Sequence, residues 1–187
     1  MTACQEADIA RVLVSEAEIA TLVDDLAGRL AADYRGSNPV LVGALCGSAV
    51  FMADLMRRLD FEVTVDFVAV SSYHDGAESS GRLCWRKELT IDVSGRPVVL
   101  VEDIVDTGLT LAGLRGAMDQ RGAAQVAACA LLDKPSRRQV AVEVEYVGKV
   151  IPDEFVVGYG LDFNQRYRNL PYVGVLRREV YAPGAGD

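Results

Sequence analysis

The chain has 187 residues, 50% of them hydrophobic and 25% charged, so we expect one globular domain spanning residues 1–187. Its formal net charge of −8 argues against a general nucleic-acid binder, which needs a basic face to displace counterions. The uncharged run at residues 37–53 is too short and too rich in glycine and serine to cross a membrane, and the N-terminus does not resemble a secretory signal. These features predict a cytoplasmic protein that binds neither nucleic acid nor membrane.

The cysteines and the single histidine exclude several kinds of site. The four cysteines, Cys4, Cys46, Cys84 and Cys129, are far apart in sequence and form no CxxC pair, which is typical of separate, reduced thiols. His74 is the only histidine, which argues against a zinc site and against a serine-histidine triad.

The first half of the chain begins with a helix and a buried strand. Ser15 and Glu18 have the spacing of a capping box, and apolar residues at helical intervals follow, so we expect a helix over residues 15–34. The continuous apolar run at residues 39–45 predicts a strand buried on both faces, and residues 49–59 predict a second helix.

The remaining elements alternate in the same way. We expect strands at residues 61–70, 98–101 and 125–132, a helix at 109–121, a polar loop at 71–81, short strands and turns at 142–180, and a frayed end at 182–187. This order predicts a parallel sheet with helices on both faces. Ligands of such sheets bind beyond the carboxyl ends of the strands. The segments expected at that edge are 46–48, 72–73, 102–110 and 133–134.

The stretch VEDIVDTGLT, residues 101–110, has the features of an anion site without a basic residue. Gly108 can adopt backbone conformations that allow N–H groups to surround a phosphate. The following helix contributes its positive N-terminal end, and Thr107 and Thr110 contribute hydroxyl groups.

Three acids precede this loop and need a different explanation. The adjacent carboxylates of Glu102 and Asp103 can accept hydrogen bonds from a ribose diol or hold a divalent metal ion. Asp106 lies closer to the phosphate loop and can exchange a proton with a bound base. Any one of these residues, taken alone, also fits a polar strand end that caps a helix.

The segment VLVEDIVDTG, residues 99–108, closely resembles the phosphoribosyl diphosphate (PRPP) motif of the type I phosphoribosyltransferases. Further matches narrow the resemblance to bacterial hypoxanthine (hypoxanthine-guanine) phosphoribosyltransferases; they are SSY at 71–73 with ESSG at 78–81, LDKP at 132–135 and IPDEFVVGYGLD at 151–162. The resemblance runs in order from about residue 10 to about residue 180.

This resemblance implies a fold and a reaction. The fold would be α/β, a twisted parallel sheet flanked by helices, with a hood from about 1–14 and 150–180 and a flexible lid at about 71–84. The reaction would be purine salvage: the 5-phosphoribosyl group of PRPP moves to N9 of hypoxanthine or guanine, giving IMP or GMP and pyrophosphate. Mg²⁺ would be the cofactor, and the family commonly forms homodimers or homotetramers.

The resemblance also assigns site residues. The ribose and 5′-phosphate of PRPP would contact residues 102–103 and 106–110, namely Glu102, Asp103, Asp106, Thr107, Gly108, Leu109 and Thr110, and Asp106 would be the catalytic acid/base at N7 of the purine. Pyrophosphate would contact Cys46, Gly47, Ser72, Tyr73 and Arg168.

The purine would contact Lys134, Phe155, Val156 and Asp162. Lys134 would donate to the 6-oxo group and Phe155 would stack on the base. Mg²⁺ would contact Glu102, Asp103 and Asp162. Taken singly, Lys134 also fits an exposed loop lysine, and Phe155 fits a core residue.

One position departs from the family pattern. The pyrophosphate loop of the family usually reads Leu-Lys-Gly-Ser, whereas here it reads Leu45-Cys46-Gly47-Ser48. In the family this peptide adopts, or switches to, a cis form in which backbone N–H groups face the pyrophosphate. Cys46 is expected to keep the backbone role. Lost packing or subunit contacts, weaker PRPP affinity and a thiol open to oxidation are all consistent with the change, as is a small buried residue that ends a strand.

Three other functions are consistent with parts of the sequence. An RNA-binding regulator can share this fold, although the acidic charge argues against it. A binding paralogue without activity would explain only Cys46, and an enzyme that prefers xanthine would differ in details of the pocket.

Overall fold

A computed structural model describes residues 7–72 and 83–182 of the chain. Its longest helix, α1 (Glu16–Tyr34), begins at the predicted capping box. The Glu18 N–H donates to Ser15 Oγ over 3.3 Å, and the Ser15 N–H donates to the Glu18 carboxylate over 2.8 Å. The apolar residues at helical spacing face the core, as predicted; Ile19, Val23, Leu26 and Leu30 are all buried.

The described residues form a six-stranded sheet in the order β4-β3-β2-β5-β6-β7. Neighbouring strands are parallel except at one edge, where β4 is antiparallel to β3. The central strand β2 is buried along its whole length, as its uninterrupted apolar sequence predicted. The strands are β2 (Val40–Ala44), β3 (Thr64–Ser72), β4 (Leu83–Lys87), β5 (Pro97–Val105), β6 (Gln125–Asp133) and β7 (Tyr146–Val150).

Helices cover both faces of this sheet. On one face α1 and α2 (Ala49–Met56) pack on alternate strand residues such as Leu41, Val99 and Cys129. On the other face α3 (Leu109–Gln120) packs on the intervening residues, such as Val98 and Leu100. The predicted fold class, a parallel sheet with helices on both faces, is confirmed. Among the described residues, no helix is long and apolar enough to cross a membrane.

A smaller antiparallel sheet joins the two ends of the described chain. It has the order β1-β9-β8 and consists of β1 (Ile9–Val14), β9 (Val173–Leu176) and β8 (Val156–Val157). The Arg177 N–H donates to the Asp8 carbonyl over 2.9 Å, which holds the short helix α4 (Arg178–Tyr181) beside the N-terminal strand. This sheet lies in the segments where a hood was expected.

Several predicted boundaries were wrong. The predicted lid of about 71–84 overlaps strands at both ends, since residues 71–72 belong to β3 and residues 83–84 to β4, which was not predicted as a strand. Residues 73–82 of the predicted lid lie outside the described residues. Strand β5 continues to Val105 rather than ending at residue 101, because it pairs with β6 through Val105↔Asp133. As a consequence, Glu102 and Asp103 lie within the strand, in the part of it that pairs with β6.

Candidate active site

The anion loop follows β5 directly, as predicted. Gly108 has φ +83° and is the N-cap of α3. A Cβ at this position would also lie 2.9 Å from Arg138 Cδ and from Val142 Cγ1, so both conformation and packing require glycine. The Leu109 N–H donates to Thr107 Oγ1 over 3.4 Å. Thr107, Gly108 and Thr110 line a cavity of about 260 Å³ at the start of the helix.

The two consecutive acids of β5 line the same cavity and are costly to ionise. Glu102 is 7% exposed, and its Oε1 has no hydrogen-bond partner among the described residues. Its pKa is raised well above the ordinary value, mainly by burial and also by the charge of the nearby Asp103. Burial also raises the pKa of Asp103 from 3.8 to about 6, although its Oδ1 accepts a hydrogen bond from the Ile104 N–H. A diol that donates hydrogen bonds, or a bound cation, would stabilise the ionised form of both carboxylates.

The predicted pyrophosphate loop packs against these acids. Gly47 lines the same cavity, and a side chain there would overlap the Asp103 carboxylate. Gly160, with φ +100°, packs on the Gly47 carbonyl so closely that it too excludes a side chain. The Leu45–Cys46 peptide is cis, as the resemblance implied. The Cys46 side chain is exposed, so the interpretation of a small buried residue is wrong.

A second cavity, of about 420 Å³, adjoins the first and shares Ile104 and Asp106 with it. Lys134 lines it and is only 6% exposed, so the interpretation of an exposed loop lysine is wrong. Phe155 lines it and is 37% exposed, which contradicts a purely core role, and Val156 follows as a buried residue of β8. The predicted purine residues Lys134, Phe155 and Val156 therefore meet around Asp106.

Two arginines beside Asp106 were not predicted as site residues. Arg137 lies in the second cavity, with its Nε 3.1 Å from Asp106 Oδ1 and its Nη1 3.4 Å from Asp153 Oδ1. Arg138 donates to the Asp106 carbonyl over 2.6 Å and pairs with the buried carboxylate of Asp133. The only sequence signal was the consecutive pair of arginines shortly after Lys134.

Backbone hydrogen bonds join the loop after β6 to the loop after β5. The Lys134 N–H donates to the Val105 carbonyl over 2.9 Å, and the Gln139 N–H donates to the Thr107 carbonyl over 2.9 Å. Together with the Arg138 contacts, these bonds fix the predicted purine lysine relative to the predicted phosphate loop. The two cavities therefore have a common, hydrogen-bonded wall.

Asp162 and Arg168 are paired with each other rather than exposed to the two cavities. Their carboxylate and guanidinium lie 2.8 Å apart, Arg168 also donates to the Gly160 carbonyl over 2.7 Å, and in the described part of the chain they line neither cavity. Both are nevertheless close enough to Asp103 to act on its pKa, which Arg168 lowers and Asp162 raises. Their roles toward pyrophosphate, purine and metal stay predictions.

Some predicted residues cannot be placed. Tyr73 and His74 lie in the segment 73–82, outside the described residues, as do Cys4 and the end from 183 onward. Ser72 ends β3, and only its backbone is described. Within residues 7–72 and 83–182, no group of three or more His, Cys, Asp or Glu side chains is arranged to hold a metal ion.

Known proteins similar to this chain share one enzymatic family. The model of the phosphoribosyl transferase domain matches residues 13–164. The hypoxanthine-guanine phosphoribosyltransferase of Streptococcus pneumoniae is 51% identical over 95% of this chain and 98% of its own length, and that of Staphylococcus aureus is 46% identical over 94% and 98%. A crystal structure of a hypoxanthine phosphoribosyltransferase from Staphylococcus aureus superposes with a TM-score of 0.93 at 44% identity, over 97% of this chain and 99% of that one. The chain therefore belongs to the phosphoribosyltransferase family, and within it to the group of bacterial hypoxanthine-guanine phosphoribosyltransferases.

Proposed function

We propose that the protein transfers the 5-phosphoribosyl group of PRPP to N9 of hypoxanthine and guanine, giving IMP or GMP and pyrophosphate in purine salvage. The observation that carries this proposal is the meeting of two cavities at Asp106, one lined by the anion loop and the acids of β5, the other by Lys134 and Phe155. The names of the similar proteins support the same reaction.

The first cavity would hold the phosphoribosyl part of the substrate. The N–H groups and hydroxyls at residues 107–110 would bind the 5′-phosphate at the start of α3, without a basic residue. The carboxylates of Glu102 and Asp103 would accept hydrogen bonds from the ribose hydroxyls. The backbone at Cys46 and Gly47, together with Arg168 and the segment around 72–73, would bind pyrophosphate.

The acids of β5 also fit a magnesium ion. Glu102 Oε1 is buried without a hydrogen-bond partner among the described residues, and oxygen ligands of this type are those that Mg²⁺ takes from proteins. Few protein ligands are needed, because Mg²⁺ usually keeps several waters and substrate oxygens. Glu102 and Asp103, with Asp162 nearby, would hold it, and when bound it would neutralise charge on the pyrophosphate leaving group.

The second cavity would select and activate the base. The Lys134 ammonium has only donors, so it would favour a 6-oxo group over the 6-amino group of adenine. Asp106, at the junction of the cavities, would exchange the proton at N7. The ring of Phe155 would stack on the purine, and the backbone at Val156 would bind its edge.

The direct test is formation of IMP and pyrophosphate from hypoxanthine and PRPP with Mg²⁺. Asp106→Asn should lower kcat by about 100-fold or more, because general acid–base catalysis contributes roughly that factor, while PRPP still binds. Asp119→Asn, an exposed acid at the end of α3, is the matched control and should leave kcat unchanged. Unchanged kcat in the Asp106 variant would contradict its acid/base role.

A homodimer or homotetramer and a cytoplasmic location stay predictions. Light scattering on the purified protein measures the first, and fractionation of the cells that produce it measures the second.

A further inference from the structure

The ring of Phe155 contacts two other aromatic side chains. Tyr181 stacks on one face of it, with centroids 4.7 Å apart and an interplanar angle of 17°. Phe163 makes a T-shaped contact, with centroids 5.6 Å apart and an angle of 90°. Phe155 is nonetheless 37% exposed and lines the second cavity, so these two rings do not cover it fully.

Tyr181 reaches this position from the far end of the chain. It is the last residue of α4, which follows β9 directly. The Leu176 N–H donates to the Phe155 carbonyl over 2.9 Å, so β9 fixes the backbone from which the Phe155 ring projects. Tyr181 also lines the second cavity together with Asp106 and Lys134. The C-terminal segment thus places an aromatic ring at the proposed purine site.

We propose that Tyr181 is a positioning residue for the purine, which holds the Phe155 ring so that its exposed part faces the base. This inference rests on the proposed function, in which Phe155 stacks on the purine. A partly exposed phenylalanine without a stacking partner would populate several orientations, and ordering it would weaken base binding. Stacking with Tyr181 orders the Phe155 ring before the base binds, because offset stacking favours one orientation of the pair. Base binding then requires less loss of conformational entropy.

The stacking contact requires a flat ring and does not require the hydroxyl group. Tyr181→Phe should therefore keep the KM for hypoxanthine near the wild-type value, whereas Tyr181→Leu should raise it about 3- to 10-fold, the range expected from one aromatic pair. The KM for PRPP should not change in either variant, since PRPP lies in the first cavity. Tyr172→Leu is the matched control. Tyr172 and Tyr181 pack against the same apolar cluster around Tyr167 and Leu170, but in the described part of the chain Tyr172 does not line the second cavity.

A binding measurement separates this inference from the proposed function. The Kd for IMP, which carries the base, should rise with Tyr181→Leu, and the Kd for PRPP should not. Wild-type protein that makes no IMP would overturn the proposed function, and the IMP Kd would still test the role of Tyr181. An unchanged Kd for IMP in Tyr181→Leu would overturn the inference. A lower Kd for IMP in Tyr181→Leu would also overturn it, because it would mean that Tyr181 occupies the place of the base. An equal rise in the Kd values for IMP and PRPP would overturn it as well, because it would mean that the substitution disturbs the whole site.

Discussion

Asp103→Asn should make the ligand-free protein more stable at neutral pH while it impairs the enzyme. Burial raises the pKa of Asp103 from 3.8 to about 6 in the folded protein. Since the folded pKa lies above the unfolded value, the stability that this carboxyl contributes is fully present below about pH 4 and is lost as the pH rises through about 6. A shift of about two pKa units corresponds to roughly 3 kcal/mol, so the charged side chain destabilises the fold by about 2–3 kcal/mol at pH 7.

Asparagine removes this charge and can keep the hydrogen bond that Asp103 Oδ1 accepts from the Ile104 N–H. It also removes one cause of the raised pKa of Glu102. For a protein of this size, the gain of about 2–3 kcal/mol corresponds to a Tm increase of about 5–10 °C at pH 7 and little change near pH 4.

The assay is thermal unfolding in EDTA between about pH 4 and about pH 7, with Asp119→Asn as the control for loss of an exposed carboxylate. The kcat/KM for PRPP should fall in Asp103→Asn only. A Tm difference that is the same at every pH, or a variant less stable than wild type at pH 7, would refute the reasoning.

Three further changes test other parts of the site. Lys134→Ala should raise the KM for hypoxanthine about 10-fold or more, with the KM for PRPP unchanged, since a charged hydrogen bond is lost. Gly47→Ala should raise the KM for PRPP because its methyl group overlaps the Asp103 carboxylate. Gly116→Ala should not, because a Cβ there meets no atom within 4 Å. An equal KM for PRPP in the two variants would contradict the packing seen at Gly47. Arg138→Gln leaves the buried carboxylate of Asp133 unpaired. Calorimetry should therefore show a free energy of unfolding lower by about 3 kcal/mol, and kcat should fall as well.

The sequence predicted those features that depend on local chemistry. The capping box at Ser15 and the apolar spacing after it define α1, because both signals lie within a few residues of each other. The uninterrupted apolar run of β2 is typical of a strand buried on both faces. Gly108 adopts the left-handed conformation that the anion loop required, and the acids before it line the same cavity.

The features that were missed depend on contacts between distant segments. Strand β4 has no buried residue in its described part, since it is an edge strand, and only its pairing with β3 identifies it. The contact of Gly47 with Gly160 joins two loops that are far apart in sequence, and no sequence pattern in either loop indicates that they meet. The stacking of Tyr181 on Phe155 is of the same kind, because it requires β9 to bring the C-terminus back to the second cavity.

The pairing of Arg138 with the residues around it was missed for the same reason. A pair of arginines in a polar segment is usually solvated. Nothing in the sequence indicates that the side chain of Arg138 is only 17% exposed. Its contact with the Asp106 carbonyl depends on the parallel pairing of β5 with β6, which brings the ends of the two strands together.

The choice of base tests the proposed function most directly. The measurement is the rate of nucleotide and pyrophosphate formation from PRPP and Mg²⁺ with hypoxanthine, guanine, xanthine, adenine or uracil as the acceptor. The proposed function predicts turnover with hypoxanthine and guanine and little with adenine, whose 6-amino group cannot accept a hydrogen bond from Lys134. Equal turnover of adenine and hypoxanthine, or turnover of uracil alone, would contradict it.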